Sequence, residues 1–408
     1  MIRNIQNRLK ALMSACVLST IMTAGWSQSL IWLGTGDGSA SYAYAVSADG
    51  RIAVGRIYAY GYSWGMRDYS YRWSAYGSGG HRLIQNDLES VALGVSADGT
   101  TVVGWARDGA HRPRAYRWTE RGGLEDLGTL GGAESRALAV SADGRVVVGW
   151  SLNTQFQARA FRWENGVMQD LGALDGFYTE ALAVSADGRV VVGRAGNVYG
   201  TRAFRWENGV MQDLNLPSNR SEALGVSADG SVVVGVYTDT RGMHRAFRWT
   251  AAEGMQDLGS LRSSGDYVDS AAYGVSAYGH VVVGTSLGYA VRWTAAGIEN
   301  LNTSYAHLLY EARLEAAYAV SPDGRYIVGY GARGPRWNKQ AYLLDTGCVV
   351  HNGDVDMNRC VDDADLLAVL FAVGSQGGRV DVNCDRFVDD ADLLVVLLNF
   401  GSGCNTDR

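Results

Sequence analysis

The chain is expected to form a seven-bladed, all-β propeller of four-stranded blades, followed by a small acidic α-helical domain. Three observations predict this. The motif Val-Ser-x-Asp-Gly, with an apolar run and a Gly behind it, starts at Val46, Val95, Val140, Val184, Val226, Val275 and Val320. Its spacings of 49, 45, 44, 42, 49 and 45 residues match the period of radially repeated β architectures. The composition has 53 Gly but only 4 Pro, which suits many tight turns between short strands. Acidity is confined to one end: residues 349–408 hold 11 Asp, no Glu, 4 Arg and no Lys, a balance of 4 − 11 = −7 in a chain of net charge −6.

Residues 181–214 show how a blade is built. Ala181 to Ser185 alternates as a strand. Ala186-Asp187-Gly188 is a turn, because Asp bonds its own backbone and Gly accepts positive φ. Arg189 to Arg194 contains Val-Val-Val-Gly, a β-branched run fit for a buried strand. Arg202 to Glu207 is the third strand, Asn208-Gly209 a two-residue hairpin, and Val210 to Leu214 the fourth strand. The recurring Asp49, Asp98, Asp143, Asp187, Asp229 and Asp323 are read as turn residues rather than ligands, since Tyr278 replaces the sixth copy.

Arg-Trp recurs at 72–73, 117–118, 162–163, 205–206, 248–249 and 292–293. Each Trp shares a strand face with the residue two before it, often aromatic, and is expected to fill space between blades rather than stack on sugars. Each Arg is expected to reach the Asp of the fourth strand: Asp126, Asp170, Asp213 or Asp257.

Ring closure follows from the two ends of the array. The seventh unit stops at Gln340-Ala341-Tyr342-Leu343-Leu344 and has no fourth strand after it. Ile31-Trp32-Leu33-Gly34-Thr35 resembles Asp126-Leu127-Gly128-Thr129 and is expected to supply that strand, covering both free edges. The longest insertion, residues 57–76, carries Tyr58, Tyr60, Tyr62, Trp64, Tyr69, Tyr71 and Trp73. It is either a well-packed long hairpin or a binding surface over one face of the ring.

No catalytic residue emerges, and the chain is expected not to be an enzyme. Gly61-Tyr62-Ser63-Trp64-Gly65 matches Gly-x-Ser-x-Gly but lacks the strand, sharp turn and helix of a hydrolase elbow. The six His are scattered, without metal-ligand spacing. No phosphate loop and no basic patch suited to nucleic acid are present.

Units such as Ala160-Phe161-Arg162-Trp163 and Met168-Gln169-Asp170-Leu171-Gly172, with Val-Ser-Ala-Asp-Gly between, resemble bacterial HAF-type extracellular repeats over residues 30–345. The resemblance implies export and carries over no catalytic residues. Residues 1–27 agree with export: Arg3, Arg8 and Lys10 precede a short apolar run from Ala11 to Ala24, then Gly25 and Ser27, the pattern of a signal peptide. Cys16 as a lipoprotein cysteine is a weaker reading, with only five apolar residues before it. The expected divisions are residues 1–27, a ring at 28–345, and a tail at 348–408, with a secreted or cell-surface location.

The tail holds the sharpest chemistry. Asp354, Asp356, Asn358, Cys360, Asp362 and Asp365 fall at positions 1, 3, 5, 7, 9 and 12 of a twelve-residue loop. Asp381, Asn383, Asp385, Phe387, Asp389 and Asp392 repeat this 27 residues later. Side-chain oxygens at five positions and a carbonyl at position 7 supply the hard donors that Ca2+ requires, so two ions are expected. A helix follows each loop, through Leu366, Leu367, Val369 and Leu370, and through Leu393, Leu394, Val396 and Leu397. Position 6, usually Gly, is Arg359 and Arg386, which weakens the expected affinity by about 1 kcal/mol. Acidic turns capping two helices without metal are the bland alternative.

These paired loop-helix halves resemble a type I dockerin. The resemblance implies calcium binding and docking onto a cohesin-like protein, with Asp363, Ala364, Asp390 and Ala391 facing the partner. Cys348, Cys360, Cys384 and Cys404 all lie in the tail. Behind an export signal they are expected to form disulfides. Three connectivities are open, and the pairing expected is Cys348 with Cys404 and Cys360 with Cys384. The functional expectation is an exported, non-catalytic binding or scaffold protein attached to a partner or surface through its tail, with polysaccharide among its possible ligands. The rivals are a dockerin-bearing polysaccharide-degrading enzyme and a purely structural surface-layer component.

Overall fold

A computed structural model describes residues 28–60, 65–77, 79–84, 88–174, 176–197, 200–262, 269–334 and 337–347. In the tail it describes residues 353, 355, 360–374, 380, 382 and 388–401. The signal-peptide segment 1–27 and the Gly61–Ser63–Gly65 match, apart from Gly65, lie outside the described residues.

Seven four-stranded antiparallel sheets form the ring. Six are consecutive: β2–β5 (residues 40–82), β6–β9 (90–126), β10–β13 (131–170), β14–β17 (178–213), β18–β21 (221–259) and β22–β25 (270–300). The seventh has the order β1-β28-β27-β26, with β26 at Ala312–Val320, β27 at Tyr326–Arg333, β28 at Asn338–Asp345 and β1 at Ser29–Trp32. Pairing of Leu30 with Leu344 and Trp32 with Tyr342 places the N-terminal strand outermost on the last blade, as the split repeat predicts. The first strand of each blade adjoins that of the next, and β26 adjoins β2, so the circle is closed. After β25 comes a single helical turn, α1 (Leu301–Ser304), capped by Asn300.

The repeat motif follows from a bulge that every blade shares. Pairing between the first two strands skips one residue: Tyr44, Leu93, Leu138, Leu182, Leu224, Tyr273 and Tyr318. The bulge pushes the carbonyl two residues earlier onto the Gly of the second strand. A Cβ on Gly149 would collide with the carbonyl oxygen of Arg136 and lie 3.0 Å from the Cα of Ala137. The same collision, with carbonyls in the same relative place, exists at Gly55, Gly104, Gly193, Gly235, Gly284 and Gly329. Gly149→Ala is therefore expected to cost about 1–3 kcal/mol, the usual penalty of overpacking. Urea denaturation of the purified chain measures it; an unchanged midpoint contradicts the bulge as the reason for this Gly.

Between the first two strands, each Ser-x-Asp-Gly turn is knitted by its own side chains. In the third blade Ser141 Oγ donates to Asp143 Oδ1 at 2.6 Å, the Arg145 amide donates to the same oxygen at 3.0 Å, and the Val146 amide donates to Ser141 Oγ at 3.0 Å. Turn chemistry, not metal ligation, accounts for the repeated Asp. In the sixth copy, Ser276 Oγ still accepts from Val281 although Tyr278 replaces the Asp.

The turns also join the blades. The amide after each turn Ser donates to the equivalent carbonyl of the next blade: Ala48 to Ala97, Ala97 to Ala142, Ala142 to Ala186, Ala186 to Ala228, Ala228 to Ala277, and Ala277 to Pro322. The seventh link, from residue 322 back to Ala48, cannot form because proline has no N–H. That junction is packed instead by Tyr326, whose ring lies against Gly50 where other blades use Val, Ile or Thr.

Apolar clusters sit between blades. Val146, Val148 and Ala160 of the third blade pack with Phe204 and Trp206 of the fourth. Five of the six Arg-Trp tryptophans are buried, Trp73, Trp163, Trp206, Trp249 and Trp293, and Trp118 is half-buried. They are inter-blade filling, as expected. The expected partner of the adjacent Arg is corrected. Asp126, Asp170, Asp213 and Asp257 pair with Arg114, Arg159, Arg202 and Arg245, each three residues before the Arg of Arg-Trp. Strand parity explains this. Asp170 lies opposite Phe161, so its side chain shares a face with Arg159, whereas Arg162 points to the other face. There Arg162 donates to the turn carbonyl of Gly188 in the next blade and to Glu164.

Candidate functional site

The tail contains two helices, α2 (Asp363–Ala372) and α3 (Asp390–Leu398). Asp362 caps α2: its Oδ1 accepts from the Ala364 amide at 2.8 Å, and Asp365 Oδ2 reaches back to the Asp362 amide at 2.9 Å. In the second half Asp392 Oδ2 accepts from the Asp389 amide at the same 2.9 Å. Thus position 12 of each candidate loop bonds the backbone of position 9.

The two halves are related residue by residue. Val355, Val361 and Val369 pack with Val382, Val388 and Val396, their counterparts 27 positions on. The Gly374 amide donates to Val388 O at 2.8 Å, and the Gly401 amide donates to Val361 O at 2.8 Å. Each half therefore ends by bonding the loop of the other.

Asp365 and Asp392 are 0% exposed. Asp365 Oδ1 also accepts from the Val355 amide at 2.6 Å. A carboxylate removed from water needs compensation, which the Val355 and Asp362 amides give Asp365 and the Asp389 amide gives Asp392. Cys360, Asp362 and Asp389 are the other candidate ligands among the described residues. Asp354, Asp356, Asn358, Asp381, Asn383, Asp385 and Phe387 lie outside them. Among the described residues no group of three or more His, Cys, Asp or Glu is close enough to hold an ion. Cys360 is disulfide-bonded. Cys348, Cys384 and Cys404, and with them the expected pairings, lie outside the described residues.

The expected partner-facing residues Asp363, Ala364 and Asp390 are exposed, and Ala391 lies within α3. Sequence reasoning missed a larger feature beside them. Leu367, Leu370, Phe371 and Val373 are exposed on the first half, and Leu394, Leu397, Leu398 and Phe400 on the second. The two sets correspond position for position at the 27-residue spacing. The signal was present as apolar residues off the buried valine positions of each helix.

On the ring, the 57–76 insertion divides. Tyr69, Tyr71 and Trp73 are buried, as the packed-hairpin alternative expects, whereas Tyr58 and Tyr60 are exposed. Tyr62 and Trp64 lie outside the described residues. The turn carboxylates have a consequence in acid. Ser96 and the Thr100 amide hold Asp98 below the usual carboxylate range, and Ser141, with the Arg145 amide, does the same for Asp143. Groups with lowered folded-state pKa stabilise above the unfolded value of about 4 and lose that contribution as pH falls through the folded value. Thermal stability of the ring is expected to decline below about pH 4. The decline should be shallower in Asp98→Asn with Asp143→Asn, as read by melts at pH 2.5 to 6. Equal slopes contradict the assignment.

Among the described residues no helix is long and apolar enough to cross a membrane. No protein-family model matches the sequence, and no curated protein does. Solved structures do share the architecture. Puromycin hydrolase aligns with a TM-score of 0.53 at 14% identity over 76% of this chain and 53% of its own, so the chain spans about half that protein. The β-propeller domain of the Trilobed protease from Pyrococcus furiosus, described as having an open velcro topology, aligns at 0.50 and 10% over 74% of this chain and 96% of its own. Oligogalacturonate lyase from Vibrio parahaemolyticus aligns at 0.50 and 8% over 78% and 93%. Likeness at these identities carries the fold alone: a seven-bladed β-propeller.

Proposed function

We propose that this propeller belongs to an exported, non-catalytic binding or scaffold protein, attached through a calcium-dependent, dockerin-like tail to a cohesin-like partner. The supporting observation is the duplication in the tail. Buried carboxylates, the valine core, the reciprocal glycine bonds and the exposed leucines all recur at one spacing of 27 residues. An apolar patch on each of two related helices suits a protein partner that buries it. Calcium, held by Asp365 and Asp392 with their loops, would supply the charge that balances the buried carboxylates and orient α2 and α3. Disulfides among Cys348, Cys360, Cys384 and Cys404 would brace a core of six valines.

The test is capture of the full chain by an immobilised cohesin module, with calcium and with chelator. Capture is expected in calcium alone and is expected to weaken in Leu367→Asp with Leu394→Asp. Equal capture under chelation, or none in calcium, overturns the docking reading. The rival, a polysaccharide-degrading enzyme with its site on the ring, predicts release of reducing sugar by the same preparation; binding without hydrolysis is expected.

A further inference from the structure

One position breaks the equivalence of the seven blades. The bulged residue of the inner strand is Leu93, Leu138, Leu182 and Leu224 in four successive blades, and Tyr273, Tyr318 and Tyr44 in the next three. Four blades show that Leu meets every demand of packing at this site. Tyr on three adjoining blades adds flat π faces and hydroxyls to one arc of the inner ring.

These phenols form a continuous chain with two neighbours. Tyr318 lies 5.3 Å from Tyr273, 5.2 Å from Tyr44 and 5.7 Å from Tyr330, and Tyr330 lies 5.0 Å from Tyr42, centroid to centroid. All five are half-buried, so part of each ring is accessible. Burial pushes the phenols of Tyr44 and Tyr273 up to about 12, so both keep their proton at neutral pH and can donate.

Polar groups frame the arc. The Arg56 guanidinium lies 4.6 Å from the Tyr42 ring centre and bonds Asp68 at 2.6 Å. Among the described residues, Arg56 Nε and Asp68 Oδ1 are buried without a hydrogen-bond partner. Both atoms are closed to solvent, so this pair lies behind the arc and not on its surface. Glu315 is paired with Arg313 and Lys339. Both carboxylates are paired, and the five groups sum to only +1, so no strong charge of either sign marks the arc for an ionic ligand. Exposed aromatics continue it outward on the same three blades: Tyr58 and Tyr60 on the first, Tyr289 on the sixth and Trp337 on the seventh. Tyr58 and Tyr60 lie at the end of the second strand, Tyr289 at the start of the third and Trp337 just before it, the end of the blades away from the Ser-x-Asp-Gly turns.

We propose that the sixth, seventh and first blades form a crescent that binds a neutral polysaccharide chain. Tyrosine faces stack on the C–H faces of pyranose rings. This deepens the binding-protein reading by assigning the ligand class of the ring, and it does not depend on the tail.

The experiment uses the full chain in EGTA, so that tail docking plays no part. Affinity electrophoresis and calorimetry are run against soluble β-glucan, xyloglucan and galactomannan, with polygalacturonate and an unfolded casein as alternatives. The wild type is expected to bind at least one neutral polymer. Tyr44→Leu/Tyr273→Leu/Tyr318→Leu, which installs the residue found in the other four blades, is expected to bind about tenfold or more weakly at an unchanged melting temperature. Tyr44→Leu alone, which disturbs packing less, is expected to show a smaller loss in the same direction. Binding to none of the neutral polymers, preference for polygalacturonate or casein, or equal affinity in folded Leu variants overturns the proposal. Calcium-dependent cohesin capture can survive any of these outcomes, so the two readings fail separately.

Discussion

Arg325→Ala is expected to cost about 3–5 kcal/mol, the range measured when one partner of a buried ion pair is removed. Arg325 Nε donates to Asp345 Oδ1 at 2.6 Å and Nη2 donates to Oδ2 at 2.7 Å, with side-chain exposures of 9% and 7%. Asp345 Oδ1 also accepts from the Gly347 amide at 2.9 Å. Without the guanidinium, the carboxylate stays buried at the point where β28 meets both Ser29 of β1 and Tyr326 of β27. The melting temperature of the ring should drop by about 5–10 °C. Replacing both partners, Arg325→Met with Asp345→Leu, removes the stranded charge and is expected to recover most of the loss. Calorimetry of the two variants decides it. A single variant within about 1 kcal/mol of wild type would mean that the pair is worth no more than a surface contact.

The second large effect is expected from calcium. Titration of the metal-free chain should give two equivalents, and Asp365→Ala and Asp392→Ala should each remove one. Arg359 and Arg386 at loop position 6 place the expected dissociation constants in the weak extracellular range of about 10⁻⁴–10⁻³ M. Raising free calcium to 100 times that constant should stabilise the tail by about 2.7 kcal/mol per site. Chelation should expose the core of Val355, Val361, Val369, Val382, Val388 and Val396. Proteolysis at the tail with and without EGTA measures this. Identical cleavage, or a stoichiometry of zero, contradicts the paired-loop reading. Removing one carboxylate should also weaken the other site, because each half ends in a bond from Gly374 or Gly401 to the opposite loop.

Much of the ring was legible because its signals are local. Asn208 and Gly209 both take positive φ, as their dipeptide demands. The orphan strand near Ile31 could be placed because the seventh repeat lacked a fourth strand. The Arg–Asp pairing was misassigned because the reading tracked which residues could pair but not which face each shared. Opposite faces separate Arg162 from Asp170 even though they are near in sequence register. The bulge was invisible as such; its only trace was the Gly after each valine run, whose cause is a carbonyl on another strand. In the tail, the 12-residue spacing exposed the candidate ligands. The symmetric apolar surface was hidden among leucines that a helix reading assigns to the core.

The outermost position of β1 changes how the molecule would carry tension. A chain tethered by its tail is pulled at Gly347, just beyond β28. Were β28 at the rim of its blade, such a pull could peel it away one bond at a time. It lies instead between β27 and β1. Withdrawing it means sliding past two ladders together, with the Arg325–Asp345 clamp at the end where the force enters.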